Sequence, residues 1–228
     1  MPVMDLGRIV VAVDGTSGSG KSSTCRGVAE QLGLRYLDTG AMFRAVTWWM
    51  LEHDVDVHDP EAVAARVDEV ELASGTDPRD PTISVDGTDV SAQIRTDEVT
   101  RSVSPVSTVP AVRSRLLDLQ RQIIAPPGRP GGGIVVEGRD IGSTVAPDAA
   151  VKIYLVADPA ARAARRAAET GSADSAATEL DLARRDRIDS TRAVSPLVQS
   201  EGAVLVDGTH LTLDEVIDTI VGIVRTAE

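Results

Sequence analysis

A chain of 228 residues has room for one α/β domain with excursions, or at most two small domains, and one domain with insertions is the simpler arrangement. Apolar residues make up 42% and aromatics only 2%, so the core must be built from small branched side chains, which suits buried parallel strands. A formal net charge of −12 and a pI near 4.7 exclude the surplus of Lys and Arg on which nucleic-acid binding relies, so an anionic ligand has to be held by local arginines. The single cysteine, Cys25, excludes an intrachain disulfide. No charged-then-apolar signal segment opens the chain and no apolar run approaches ~18 residues, so a soluble cytoplasmic protein without a membrane partner is expected.

The first apolar run, residues 8–14, predicts a buried strand. Directly after it, Gly15-Thr16-Ser17-Gly18-Ser19-Gly20-Lys21-Ser22 fits the phosphate-loop pattern G-x-x-x-x-G-K-[ST] and runs through Ser23 into a helical pattern. The glycines allow successive N–H groups to converge on phosphate oxygens, while the helix N-terminus adds its positive dipole end. Lys21 would bridge the outer phosphates and the Ser22 hydroxyl would ligate Mg²⁺. Asp14, beside the loop, and Asp38, at the end of the next strand, are candidates to hold Mg²⁺ through water, with capping or turn formation as the alternative. Only two lysines occur, Lys21 and Lys152, which makes a chance match improbable. On the following helix Cys25 shares an apolar face with Val28, Ala29 and Leu32 and reads as a packed thiol.

A second strand is predicted over 34–37, followed by a helix whose Trp48 and Trp49 read as packing residues. The acidic run from Asp54 to Asp59 reads as a solvated turn, and Asp59 before Pro60 as a helix cap. Residues from about 60 to 100 do not fit a β-α-β unit; Asp86-Gly87 between two short alternating runs predicts a hairpin inside an inserted substructure. The glycine-rich stretch 128–133 is a flexible approach to a third strand over 133–136. A fourth strand is expected over 150–156 and a fifth over 203–206, with helix starts at Asp158-Pro159 and at Thr212 with Glu215. Between them Thr170 to Ser175 interrupts an arginine-bearing helical region and is a candidate lid tip. Five runs, most followed by a helical pattern, predict an α/β fold with a parallel sheet covered by helices on both faces.

A phosphate loop identifies a nucleotide binder and not a reaction. The chain has no asparagine, so the Asn-Lys-x-Asp guanine motif of GTPases is absent. It offers arginines instead. Arg44 follows the second strand and Arg139 the third, both at carboxyl ends, where open α/β sheets bind ligands. Arg162, Arg165 and Arg166 share one helix face, and Arg185, Asp189 and Arg192 share another. Two phosphate chains brought together need several fixed cations. His53, His58 and His210 show no metal-ligand spacing.

With Leu37-Asp38-Thr39-Gly40-Ala41-Met42-Phe43-Arg44, Val90-Ser91 with Ile94-Arg95-Thr96, Glu137-Gly138-Arg139-Asp140-Ile141-Gly142 and Arg192-Ala193-Val194-Ser195-Pro196-Leu197 added to the phosphate loop, the chain resembles bacterial cytidylate kinases over nearly its whole length. The resemblance implies a single P-loop kinase domain with a five-stranded parallel sheet. It implies a core of about 1–59, 101–158 and 193–228, a monophosphate-binding insertion of about 60–100, and a lid region of about 159–192. It implies transfer of the γ-phosphoryl of MgATP to CMP or dCMP, in pyrimidine nucleotide metabolism, and a monomer is expected.

By the same resemblance Arg44, Arg139 and Arg192 grip the monophosphate, Arg185 and Asp189 face the sugar, and Ser104, Arg113 and Asp140 read the cytosine, with Thr39 and Phe43 in the same acceptor pocket. Arg162, Arg165 and Arg166 belong to the lid and close on the ATP phosphates. Lys21, Arg139 and Arg192 are then the catalytic cations, offsetting charge on the transferring group while lid closure excludes water. The sequence departs from the family pattern at Thr39 (Ser expected), Phe43 (Tyr), Glu137 (Asp) and Thr191 (Asn), and Phe43 removes a hydroxyl from the acceptor pocket. A P-loop kinase with another acceptor and a nucleotide-dependent switch are the competing readings.

Overall fold

In the computed structural model, residues 9–125, 132–170 and 175–227 are described. Residues 128–131 of the glycine-rich approach and residues 171–174 of the candidate lid tip lie outside them. The chain divides into two compact units, Met1–Tyr36 with Pro130–Glu228, and Leu37–Arg129.

The first unit is built on a five-stranded sheet of β1 (Val10–Gly15), β2 (Arg35–Asp38), β6 (Ile134–Gly138), β7 (Val151–Val156) and β8 (Val204–Asp207), in the order β2-β6-β1-β7-β8. Each strand lies within two residues of its predicted span. β1 runs parallel to β6 and β7, and β7 parallel to β8. Val11 and Val13 point into one core with Cys25, Val28 and Ala29 of α1 (Lys21–Leu32) and Ile217, Ile220 and Val224 of α8 (Leu213–Thr226). Ala12 and Val136 are buried on the other face, so both faces are covered, and each fully buried Val or Ile stabilises by roughly 1.5–3 kcal/mol. Small side chains make this close packing possible. A Cβ on Gly15 would lie 2.0 Å from the Leu155 carbonyl oxygen, so β1 reaches β7 at this point only because residue 15 has none.

Because β1 is central, with β6 and β2 on one side and β7 and β8 on the other, the loop after it opens at the carboxyl edge where strand order reverses. The predicted caps form: Asp59 Oδ1 accepts the Glu61 N–H at 2.9 Å, Asp158 Oδ1 accepts the Ala161 N–H at 2.6 Å, and Thr212 and Glu215 close a capping box. Two arginine-bearing helices, α6 (Pro159–Thr170) and α7 (Ser175–Thr191), complete the described part of this unit.

The second unit packs α2 (Thr39–Glu52), α3 (Pro60–Arg66), α4 (Asp97–Thr108) and α5 (Pro110–Ile124) with a three-stranded sheet of β3 (Leu72–Ser74), β4 (Ile83–Val85) and β5 (Thr88–Asp89). The sheet is antiparallel, and its β4–β5 turn is Asp86-Gly87 with φ of 51° and 76°, the left-handed pair that a two-residue hairpin requires. Trp49 is buried, donates its Nε1–H to Asp86 at 2.8 Å and stacks on His53, so it is a packing residue.

Candidate active site

The phosphate loop leaves β1 at Gly15 and enters α1 through Gly20, whose φ of 88° lies in the left-handed region. Lys21 is buried, and its Nζ donates to the Thr16 carbonyl at 2.6 Å and to Ser19 Oγ at 3.4 Å, so the ammonium folds back over its own loop. Burial lowers its pKa to about 7, and the charge of Arg139 acts in the same direction, against Glu137 and Asp186. Thr16 Oγ1 is buried with no hydrogen-bond partner among the described residues. Ser22 and Ser23, on the first turn of α1, are exposed.

Three charged side chains from α6 and α7 grip this loop. Arg162 donates through Nη1 to the Ser17 carbonyl at 2.9 Å and to Asp186, and Asp186 Oδ1 accepts the Ser17 N–H at 2.8 Å. Arg165 donates to the Ser19 carbonyl at 3.3 Å and also to the Gly208 carbonyl after β8. Arg166 is half-buried. Asp186 is a loop contact that sequence reasoning does not single out. Its signal was the spacing Leu182, Asp186, Asp189 on one face of α7, where Leu182 is buried.

Asp14 is buried at the end of β1, and its two oxygens accept the N–H groups of Ile141 and Gly142 at 2.7 and 2.8 Å. Burial raises its pKa to about 6, against those two hydrogen bonds, with Asp140 adding to the rise and Lys21 opposing it. The carboxylate thus ties the root of the loop to the turn that follows β6. Glu137 on β6, also buried, accepts from the Tyr36 hydroxyl.

That same turn opens a cluster of cations. Arg139 Nε donates to Asp189 Oδ2 at 2.9 Å, Arg192 Nη2 to Asp140 Oδ1 at 3.1 Å, and Arg192 Nη1 lies 3.6 Å from Asp189 Oδ1. Arg192 Nε is held by the Ser195 carbonyl at 2.6 Å, with Ser195 at a φ of 50°. Burial works to lower the Arg139 pKa, but Asp189, Asp186 and Glu137 outweigh it and raise it. Arg185, half-buried on α7, is pushed down by burial and by the charge of Arg139. Asp189, placed by the resemblance against a sugar, is engaged by both arginines of the cluster.

The remaining acceptor-side residues are gathered in the unit Leu37–Arg129. Thr39 is the buried first residue of α2. Arg44, buried on the same helix, donates to the Ile94 carbonyl at 3.1 Å and to Thr100 Oγ1 at 2.9 Å. Arg113 on α5 is buried, donates to the Ser107 carbonyl at 3.2 Å and stacks its guanidinium 5.3 Å from the centroid of Phe43. Ser104, one turn before Ser107 on α4, is buried too, and its carbonyl accepts from the Ser107 hydroxyl at 2.8 Å. Asp38 spends one oxygen on the Ala41 N–H as the cap of α2 and the other on Arg95, which is the capping alternative to a metal role.

A glycine loop with a buried lysine, rooted in the central strand of a parallel sheet and flanked by carboxylate-held arginines, is built to hold and neutralise phosphates; it defines the class of P-loop kinases. Comparisons with known proteins narrow the class. The cytidylate kinase family profile matches residues 11–226. Proteins named cytidylate kinase are similar throughout: that of Streptomyces coelicolor is 56% identical over 217 residues, covering 95% of this chain and 93% of its own, and that of Nocardia farcinica is 54% identical, covering 93% and 91%. That of Mycobacterium leprae is 49% identical over 95% of this chain and 96% of its own. The chain belongs to the cytidylate kinase family.

Proposed function

We propose that the chain transfers the γ-phosphoryl of ATP to CMP or dCMP, with residues 60–100 as the monophosphate-binding insertion and 159–192 as the lid of one kinase domain. The observation that carries this reading is the pairing of Arg139 and Arg192 with Asp189 and Asp140, at the carboxyl edge of the sheet that also carries Lys21. Carboxylate partners hold these guanidiniums aligned before substrate arrives, which is how a site stabilises charge without reorganising. The acceptor oxygen already belongs to an ionised phosphate, so the reaction needs no general base; positioning and charge neutralisation suffice. The residues of the phosphate loop, Gly15 to Ser23, receive the ATP phosphates. Lys21 swings from the Thr16 carbonyl to the transferring group, and phosphate charge offsets the burial that lowers its pKa.

The exposed Ser22 hydroxyl fits Mg²⁺ held mainly by nucleotide phosphates and water, and among the described residues no cluster of three carboxylate, His or Cys ligands competes with it. Mg²⁺ supplies further neutralisation of phosphate charge when bound. Asp14, whose two oxygens accept the Ile141 and Gly142 amides, and Asp38, whose oxygens hold the Ala41 amide and Arg95, would each contribute only through water. On the acceptor side Arg44 joins Arg139 and Arg192 on the monophosphate, Arg185 and Asp189 address the sugar, and Ser104, Arg113 and Asp140 read the base, with Phe43 as the plane on which Arg113 lies. A cytosine edge presents an amino donor beside two acceptors, and a carboxylate with a guanidinium complements it. The chain works in the cytoplasm as a monomer, and no described helix is long and apolar enough to cross a membrane.

ADP release measured over a panel of monophosphates tests the reading. Turnover with CMP and dCMP should far exceed that with AMP or GMP, and nucleotide hydrolysis without acceptor should be slow. Equal turnover with and without CMP would replace the kinase by a nucleotide switch. In the same assay Arg113→Met should lower kcat/KM for CMP and dCMP by about 10- to 100-fold, the loss of a charged hydrogen bond, while the KM for ATP stays unchanged.

A further inference from the structure

We propose that Asp186 is a positioning residue for the phosphate loop, which, with Arg162, fixes both backbone polar groups of Ser17; the inference rests on reading residues 15–22 as the ATP phosphate site. Asp186 Oδ1 accepts the Ser17 N–H at 2.8 Å, the Ser17 carbonyl accepts from Arg162 Nη1 at 2.9 Å, and that same Nη1 donates to Asp186 Oδ2. The ring of three hydrogen bonds is closed. Its two side chains are only 9% and 15% exposed, so the contacts are weakly screened by solvent.

The need for such a device follows from the loop's composition. Glycines at 15, 18 and 20 give the loop a large backbone entropy, and N–H groups that wander cannot act as preorganised donors. Ser17 is the middle of that stretch. Fixing its N–H and carbonyl fixes the peptides on either side, and Arg165 adds a third anchor at the Ser19 carbonyl while holding the Gly208 carbonyl. Asp186 would repel phosphate if it stood alone. Arg162 neutralises it in place, and its residual field favours the charged forms of Lys21 and Arg139.

The test uses the full chain with Asp186→Ala and Asp186→Asn. ATP affinity is measured by calorimetry without acceptor, hydrogen exchange of the residue 16–22 amides without nucleotide, and the KM for CMP in the coupled assay. Asp186→Ala should weaken ATP by about 10-fold or more, with the largest rise in exchange in the loop and a CMP KM within about 2-fold of wild type. Asp186→Asn keeps an acceptor for the Ser17 N–H and should recover part of the loss. Loop exchange equal to wild type, or ATP binding that is unchanged or tighter in Asp186→Ala, overturns the proposal; tighter binding would make the carboxylate a competing anion. A uniform rise in exchange over the whole chain would make Asp186 a general stabiliser and overturn it too. Wild-type chain that binds ATP but ignores CMP would remove the kinase reading, while loop exchange in the variants would still decide the role of Asp186.

Discussion

The phosphate loop and the Arg139–Asp189–Arg192 cluster are both proposed to handle phosphate, yet they are made in opposite ways. The loop is nine contiguous residues, Gly15 to Ser23, whose donors are backbone N–H groups and whose single cation, Lys21, rests on neutral acceptors. The cluster draws side chains from the turn after β6, from α7 and from the segment beyond it, and each arginine rests on a carboxylate. A buried cation on neutral groups is costly, and an arriving phosphate would offset that cost. A buried cation on a carboxylate is part of the scaffold, because removing one partner strands the other charge. The same reaction therefore should respond differently to damage on its two sides.

Arg192→Ala should have the largest effect. It leaves Asp140 and Asp189 buried without one of their cations, which costs about 3–5 kcal/mol of stability and lowers the melting temperature by on the order of 10 °C. Turnover should fall along with it. Thermal unfolding of the nucleotide-free variant checks this, and a melting temperature within about 2–3 °C of wild type, roughly one kcal/mol, would mean that the carboxylates are solvated after all. Lys21→Ala is the contrasting change. Turnover should drop by roughly 10²–10³-fold, yet the melting temperature should hold or rise, since a desolvated charge is removed and no partner carboxylate is stranded. Should Lys21→Ala melt as early as Arg192→Ala, the two sites would be built alike and the contrast would be lost.

This difference also sets how much of the molecule was legible in its sequence. The five strands were readable because a parallel strand buried on both faces must be apolar throughout, and the hairpin because Asp-Gly suits the left-handed turn. The loop was readable because its chemistry is contiguous. Residues of the cluster could be grouped only by helix spacing and by family resemblance, since contacts such as Arg139 with Asp189 join segments 50 residues apart. Spacing also hid their partners: Arg185, Asp189 and Arg192 share a face, but nothing local says that Asp189 bridges two arginines. For Arg162 and Arg165 the resemblance implies cations that close on ATP, and it says nothing of the loop carbonyls that both hold. Asp186 is not legible in this way, because an acid among arginines on a polar helix looks like a solvated ion pair.

Asp14 joins the two regions, and its titration sharpens the comparison. Its pKa is raised to about 6, so the folded chain holds a proton that the unfolded chain has already lost between roughly pH 4 and 6. Stability from this group is therefore present below pH 4, declines as pH rises to about 6 and is level above it. The decline amounts to about 2–3 kcal/mol. In Asp14→Asn that slope should vanish, so the stability difference between variant and wild type should move in favour of Asn across pH 4–6 and stay flat beyond. Parallel curves for the two proteins over that range would show that the ionised carboxylate is fully compensated by the Ile141 and Gly142 amides.

Arg185→Ala should be the mildest change, and it probes the edge of the cluster. Arg185 carries a like charge beside Arg139, and its pKa is lowered by burial and by that neighbour, with Asp189 only partly opposing. Removing it relieves repulsion and strands no carboxylate, because Asp189 keeps Arg139 and Arg192. The melting temperature should therefore change little, in contrast to Arg192→Ala. Its effect should surface in sugar handling, where a lost hydrogen bond to a hydroxyl is worth about 0.5–1.5 kcal/mol, or roughly 2- to 10-fold in the dCMP/CMP ratio of kcat/KM. Measuring that ratio together with the overall rate separates the roles. An unchanged ratio with a lower rate for both acceptors would move Arg185 into the phosphate-gripping set, and an unchanged ratio with an unchanged rate would remove it from the acceptor site.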